Sequence, residues 1–252
     1  MADTTSPDAR TAVVVGASGG LGRALTRALA DRDDIGRVFA LSRRPGAVEH
    51  DAVTSLQADA CDPASLARAA EAVAAATLRV HLLIVCTGIL HGGEAEPGLG
   101  PEKSLGQLDG DAFRHVMTVN ALAPLQVLHA FAPLLKHDER AVAAALSAMV
   151  GSIGDNRIGG WYSYRMSKAA LNMGLKNAAI ELGRLRPKGR PAPIVVAVHP
   201  GTTETDLSRP FLRQHDARPA DDSAAHILAV LDDLDEADSG RFFNWDGREL
   251  PW

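Results

Sequence analysis

Thr11 to Val15 is a short run rich in β-branched residues that ends in Gly16-Ala17-Ser18-Gly19-Gly20-Leu21-Gly22, after which Leu21, Leu25, Ala28 and Leu29 return at helical spacing. A strand that turns on glycines straight into a helix rejoins its own sheet through a crossover, with the next strand parallel to it. The rest of the chain keeps this alternation. Arg37 to Leu41 reads as a second strand and Ser55 to Ala58 as a third, and Asp62-Pro63 opens an alanine-rich helix over Ser65 to Ala76. His81 to Val85 is an apolar run of the kind buried on both faces of a parallel sheet. A helix from Asp111 to Lys136, kinked at Pro124, leads to strand Ala141 to Leu146, the long helix Tyr162 to Leu185, strand Ile194 to Val198, helix Ser223 to Leu231 and a last strand Arg241 to Phe243. The expected fold is α/β, a three-layer Rossmann-type, doubly wound parallel sheet of about seven strands with helices on both faces. Residues 1–10 read as a loose arm, 11–252 as one domain, and Glu94 to Gly106 as a surface loop rich in glycine and proline.

The 252 residues, 46% hydrophobic and 23% charged, are enough for one full core and exclude disorder, collagen and coiled coil. A net charge of −5 with scattered basic residues argues against nucleic acid as a partner. The longest apolar runs fall short of the ~20 residues of a membrane helix, and the opening Met1-Ala2-Asp3-Thr4-Thr5-Ser6 lacks the layout of a signal peptide, so no membrane is expected. Cys61 and Cys86 have no paired spacing, which makes a reducing, cytoplasmic setting the expectation. The nine histidines form neither HxH nor HExxH, so no metal site is expected, and His199 before Pro200 reads as a pocket lining. Phe242, Phe243, Trp245 and Trp252 read as a buried edge or a subunit interface.

Gly16, Gly20 and Gly22, with Ser18 and Leu21 among them, lie where the N–H groups and positive dipole of a helix N-terminus can meet a pyrophosphate. Such glycines also serve close packing of strand on helix. A dinucleotide site next asks for an acid at the end of the second strand, to hold a ribose 2′-OH. Here the strand ends in Ser42-Arg43-Arg44. A planar, permanently charged guanidinium suits a 2′-phosphate, which favours NADP(H) over NAD(H); the alternative is a solvated arginine pair before Pro45.

Tyr164 and Lys168 stand one helical turn apart on one face. A phenol, with a pKa of ~10 in water, needs help to move protons near neutrality, and an ammonium beside it helps by favouring phenolate. Taken alone, a Tyr/Lys pair at helical spacing is usually just surface.

Together these features resemble the short-chain dehydrogenase/reductase family over Thr11 to about Phe243. The resemblance rests on the glycine turn Gly16 to Gly22, Asp59-Ala60 as the acidic adenine-contacting position, Asn120 in Val119-Asn120-Ala121, the Tyr164/Lys168 pair, and Pro200-Gly201 after the sixth strand. Gly151-Ser152-Ile153, Gly159 to Arg165 and Asp206 to Phe211 resemble the branch containing C-factor and the sniffer-type carbonyl reductases. The resemblance implies hydride transfer between a nicotinamide and a carbonyl or alcohol. Tyr164 would donate the proton, Lys168 would lower its pKa and hold the ribose, and Asn120 would position a water. Gly88 would lie on the adenosine side, and Thr203 and Thr205 near the carboxamide and a phosphate. Trp161 and Tyr162 are expected as substrate-pocket walls, Tyr162 lacking a lysine one turn on. A homodimer or homotetramer is implied.

Two departures qualify the match. Ala148 occupies the slot of the family's substrate-orienting serine, with Ser147 before it and Ser152 beyond. Adjacent strand residues face opposite ways, so Ser147 serves only if the strand end bulges. Ser147 is the residue chosen; Ser152 or neither are the alternatives, and with neither, turnover should be slow. Val85-Cys86-Thr87-Gly88 stands where the family usually has Asn-Asn-Ala-Gly, and Cys86 reads as a small buried hydrophobe. The leading function is an NAD(P)-dependent carbonyl reductase or alcohol dehydrogenase. The alternative is a C-factor-like signalling protein that binds NAD(P) with little turnover. A sugar-nucleotide epimerase is disfavoured by the short chain.

Overall fold

Seven strands, β1 (Arg10–Val15), β2 (Ile35–Ser42), β3 (Val53–Gln57), β4 (Leu82–Val85), β5 (Val142–Leu146), β6 (Ile194–His199) and β7 (Phe242–Asn244), pair in parallel in the order β3-β2-β1-β4-β5-β6-β7. The structure is a computed structural model that describes residues 9–93, 98–186, 188–212 and 217–252. Among the described residues six α-helices accompany the strands: α1 (Gly20–Ala30), α2 (Pro63–Ala76), α3 (Gly110–Met117), α4 (Ala123–Leu135), α5 (Tyr162–Arg184) and α6 (Ala220–Asp233). Because β1 has β2 on one side and β4 on the other, the winding reverses there. A crevice therefore opens at the C-terminal ends of β1 and β4, where doubly wound sheets bind ligands.

Alternation along the strands divides the core in two. Val13, Val15, Ala143, Ala145, Val195 and Ala197 pack under α2, α4 and α5, with Leu66, Val73, Phe131, Leu171 and Leu175. Ala12, Val14, Ala144, Leu146, Val196 and Val198 pack under α1 and α6, with Leu25, Leu29, Ile227 and Leu231. Each such leucine, fully removed from water, contributes ~2 kcal/mol of transfer free energy. Asp62 caps α2 as expected, accepting Ala64 N–H at 2.9 Å ahead of Pro63.

Four expectations shift. Arg10 is part of β1 and pairs with Asp34 at 3.0 Å, while residues 1–8 of the expected arm lie outside the described residues. β3 begins two residues earlier than expected and is only half buried, so no apolar run marks it. The helix read from Asp111 as kinked at Pro124 is instead interrupted by a π turn, Thr118–Leu122, in which Ala123 N–H reaches back to Thr118 O. Pro124 falls in the first turn of α4 and is tolerated there, and it has no N–H to return to Asn120. By length and composition Gly110–Leu135 could cross a membrane. Here Val127, Phe131 and Leu135 bury it as a core element. Finally, the loop read as surface buries Leu99 and Glu102; its residues 94–97 lie outside the described set.

Past β7 the chain folds back along that strand. Asn244 N–H donates to Arg248 O at 2.8 Å and Leu250 N–H to Phe242 O at 2.7 Å. The expected aromatic edge is thus formed within the chain: Phe242 stacks on Trp252 at 5.7 Å, and the Arg218 guanidinium lies 3.5 Å over Trp245.

Candidate active site

A cleft of about 740 Å³ lies over the C-terminal ends of the strands. At its floor is the glycine turn. Gly16 has φ +87°, and a Cβ there would stand 3.1 Å from the backbone carbon of Cys86. A Cβ on Gly22 would stand 2.2 Å from Gly16 O, so helix and strand approach as only glycine allows. Among the described residues no side chain caps the first turn of α1, whose N-cap is Gly19, which leaves its N–H groups to a ligand. Ser18, Gly20 and Leu21 line the same wall. This cradle of free donors fits a dinucleotide pyrophosphate.

The cleft runs outward over Ser42, Arg43, Asp59 and Ala60. Ser42 is buried and donates to Arg44 O at 2.6 Å, which shapes the turn that leaves Arg43 exposed at the rim. Asp59 accepts Cys61 N–H at 2.9 Å. On the far side Pro200, Gly201 (φ +74°), Thr203 and Thr205 line the wall, and a Cβ on Gly20 would stand 3.0 Å from Thr205 Cγ2.

Between these ends α5 carries Tyr164 and Lys168, both buried, into the cleft. Lys168 Nζ donates to Leu146 O at 2.8 Å and stands 5.8 Å from the centre of the Tyr164 ring. A Cβ on Gly88 would lie 3.6 Å from that Nζ and 3.7 Å from Asn120 Oδ1, so this glycine keeps the space around both open. Asn120 Oδ1 accepts Ile89 N–H at 2.7 Å, and its Nδ2 donates to Ile89 O at 2.8 Å and Ser167 Oγ at 3.0 Å. Its amide ties the end of β4 to α5. Burial pushes the Tyr164 phenol up to about 12 and the Lys168 ammonium down to about 8. Burial thus outweighs the lowering of the tyrosine by lysine that the sequence suggests. Burial, followed by the charges of Lys168 and Arg218, takes His199 down to about 4, and it lines the cleft as a neutral imidazole. Burial also takes the Cys86 thiol up to about 12, which leaves it inert.

Ser147 lines the cleft beside Ala148, and β5 shows no bulge there. β5 stays in register with β6 through Leu146↔Val198, and Ser147 N–H donates to Val198 O at 2.8 Å. Ser147 therefore continues the side of Ala143 and Ala145, and its hydroxyl donates to Asn172 Oδ1 on α5 at 2.6 Å. Ser152 donates to Trp252 O at 3.1 Å. Ala148 packs in one apolar cluster with Leu90 and Tyr164, against Val150, Trp161, Leu207 and Phe211. Trp161 lines the cleft and Tyr162 does not. Trp161 precedes α5, and its ring meets that of Tyr164 edge-on at 6.1 Å. Sequence reasoning missed Glu102, whose link to α5 spans 61 residues and has no local pattern.

The sheet order, the glycine cradle and the buried Tyr–Lys pair define a dinucleotide-binding oxidoreductase fold. The short chain dehydrogenase family model matches residues 10–216, and the chain belongs to the short-chain dehydrogenase/reductase family of NAD(P)-dependent enzymes. It is 38% identical over 179 residues to C-signal of Myxococcus xanthus, covering 69% of this chain and 100% of that protein. The NADPH-bound carbonyl reductase from chicken fatty liver superposes with a TM-score of 0.83 at 29% identity, covering 97% of this chain and 99% of that one. The carbonyl reductase Sniffer of D. melanogaster, 23% identical, shares the fold with a TM-score of 0.82 over 97% of this chain and 100% of its own. The likeness to C-signal places the chain beside that relative within the family, and the likeness to Sniffer shows the shared fold.

Proposed function

We propose that the protein transfers a hydride between NADP(H) and a carbonyl or alcohol substrate, with Tyr164 as proton donor in the direction of reduction. The observation that carries this reading is the buried Tyr164 phenol beside Lys168, between the glycine cradle and the apolar cluster of Leu90, Ala148 and Phe211. When bound, the nicotinamide supplies the hydride to the carbonyl carbon. Tyr164 gives its phenolic proton to the carbonyl oxygen, and burial keeps that proton in place beforehand. The Lys168 ammonium stabilises the phenolate left behind and holds the ribose hydroxyls. Asn120 lies in a turn whose backbone carbonyl receives nothing from Pro124, which suits it to hold a water that returns the proton. The preference for NADP(H) rests on Arg43, exposed at the cleft rim where a 2′-phosphate would lie. The chicken carbonyl reductase was solved with NADPH bound. The substrate end, walled by Trp161, Leu207 and Phe211, suits a small or medium apolar carbonyl.

A second reading, a signalling protein that binds NAD(P) with slow turnover, is favoured by the Ala148 methyl group against Tyr164 and by the engagement of both neighbouring serines. The deciding experiment is NADPH oxidation by the purified protein against aldehydes, ketones and quinones, with Tyr164→Phe beside it and cofactor binding measured separately. Turnover that vanishes in the variant establishes the reductase. Tight binding with no turnover anywhere in the panel favours the signalling protein.

A further inference from the structure

Trp161, which precedes α5, stands in the left-handed region at φ 52°, and its own side chain caps nothing. A tryptophan there is strained and persists only where its surroundings hold it. The first turn of the helix is answered from far away in the chain. Glu102, 6% exposed, accepts Ser163 N–H on Oε2 at 3.1 Å and the Ser163 hydroxyl on Oε1, and its backbone carbonyl accepts Trp161 N–H at 2.5 Å. Its carboxylate thus sits against the positive end of the helix that carries Tyr164 and Lys168.

Contacts continue from this clamp along the substrate side. The Trp161 ring stands 6.1 Å edge-on from Tyr164 and 5.4 Å from Phe211, whose ring is 5.7 Å from His91. Gly93 N–H donates to His91 Nδ1 at 3.1 Å, so Nε2 carries the proton and donates to Asp206 O at 3.2 Å, across the cleft. Glu102 is not among the residues that line the cleft.

We propose that Glu102 is a positioning residue for the substrate end of the site: its carboxylate, bonded to Ser163, fixes the segment whose backbone carbonyl holds Trp161 in its strained conformation, and so sets the placement of Tyr164 without touching the cofactor. This rests on the reductase reading. Glu102→Gln, Ser163→Ala and the double variant of the full chain would be compared for kcat/KM toward a carbonyl that the parent reduces. NADPH affinity would be measured alongside. So would acrylamide quenching of tryptophan fluorescence, with Trp161→Phe as the control that removes the reporter. Glu102→Gln should lower kcat/KM about ten- to a hundredfold, the scale of a small misplacement of reacting groups, with NADPH affinity changed less than about twofold. The loss in the double variant should fall short of the sum of the two single losses, because both changes alter the same hydroxyl–carboxylate bond, and Trp161 should become easier to quench. Unchanged kcat/KM, an equal loss of NADPH affinity, or additive effects would overturn the proposal. If Glu102→Gln does not fold, the same split in Ser163→Ala decides. If the parent reduces nothing, the reductase reading fails, and quenching alone judges Glu102: unaltered Trp161 exposure in the variants refutes its role.

Discussion

Lys168 donates to the carbonyl of Leu146 at 2.8 Å while its ammonium stands 5.8 Å from the centre of the Tyr164 ring. The lysine is held by the end of β5, so its charge is fixed in place and reaches the phenol without a direct hydrogen bond. Burial brings its pKa to about 8, and above that pH the ammonium that stabilises a phenolate is lost. The rate of carbonyl reduction is therefore expected to fall on the alkaline side of about pH 8. A kcat profile that stays flat well above that pH would separate Lys168 from the chemistry.

The proposed preference for NADP(H) rests on Arg43. Charge-assisted hydrogen bonds to a 2′-phosphate contribute about 1.5–3 kcal/mol, so Arg43→Ala should cost NADPH roughly ten- to a hundredfold in affinity and leave NADH nearly unchanged. Titration of both cofactors against both proteins checks this. Equal affinities in the unmutated protein would remove the argument.

Gly22→Ala is expected to abolish cofactor binding and lower the melting temperature. The new methyl group would stand 2.2 Å from Gly16 O and 2.8 Å from Gly16 C, and both atoms belong to backbone that the core below holds in place. Relief by backbone movement costs ~1–3 kcal/mol and distorts the donors of the cradle. A variant that binds NADPH as the parent does would show that the turn is not the phosphate site.

Acid should loosen the opposite end of the sheet. His81 Nδ1 accepts Thr11 N–H at 3.0 Å, which puts its proton on Nε2, 2.8 Å from Glu139 Oε2. Burial holds the imidazole below its ordinary 6.5; the Glu139 bond opposes this, and the charges of His137 and Arg10 add to it. The unfolded chain therefore takes up a proton below about pH 6.5 that the folded chain resists, and stability, whole above that pH, declines as pH falls through it. The bond from His81 draws Glu139 below its ordinary 4.5, which adds a further loss at lower pH. Thermal melts across this range should show the decline. His81→Asn keeps an acceptor near Thr11 N–H without titrating and should flatten it; an unaltered slope would assign the effect to other groups.

Most of the fold is legible in the sequence because strands buried on both faces leave apolar runs, as β4 and β6 do, and edge strands such as β3 do not. The glycine turn and the Tyr164/Lys168 pair are legible because their geometry is complete within a few residues. The direction of the Ser147 hydroxyl depends on Asn172, and the burial of Glu102 on Ser163. Neither separation leaves a periodic trace. The π turn escapes for a different reason: Pro124 announces a disturbance, but a proline is at ease in a first helical turn, so the deformation falls in the residues ahead of it.

The tail that folds back along β7 has one more effect. A sheet grows by offering unpaired N–H and C=O groups to another strand, and assemblies and fibrils both exploit such margins. At β7 those groups are already taken by Arg248 and Leu250 of the same chain. A strand arriving at β7 would first have to displace residues 248–250 from those groups, so growth of the sheet at this margin competes with the chain's own tail.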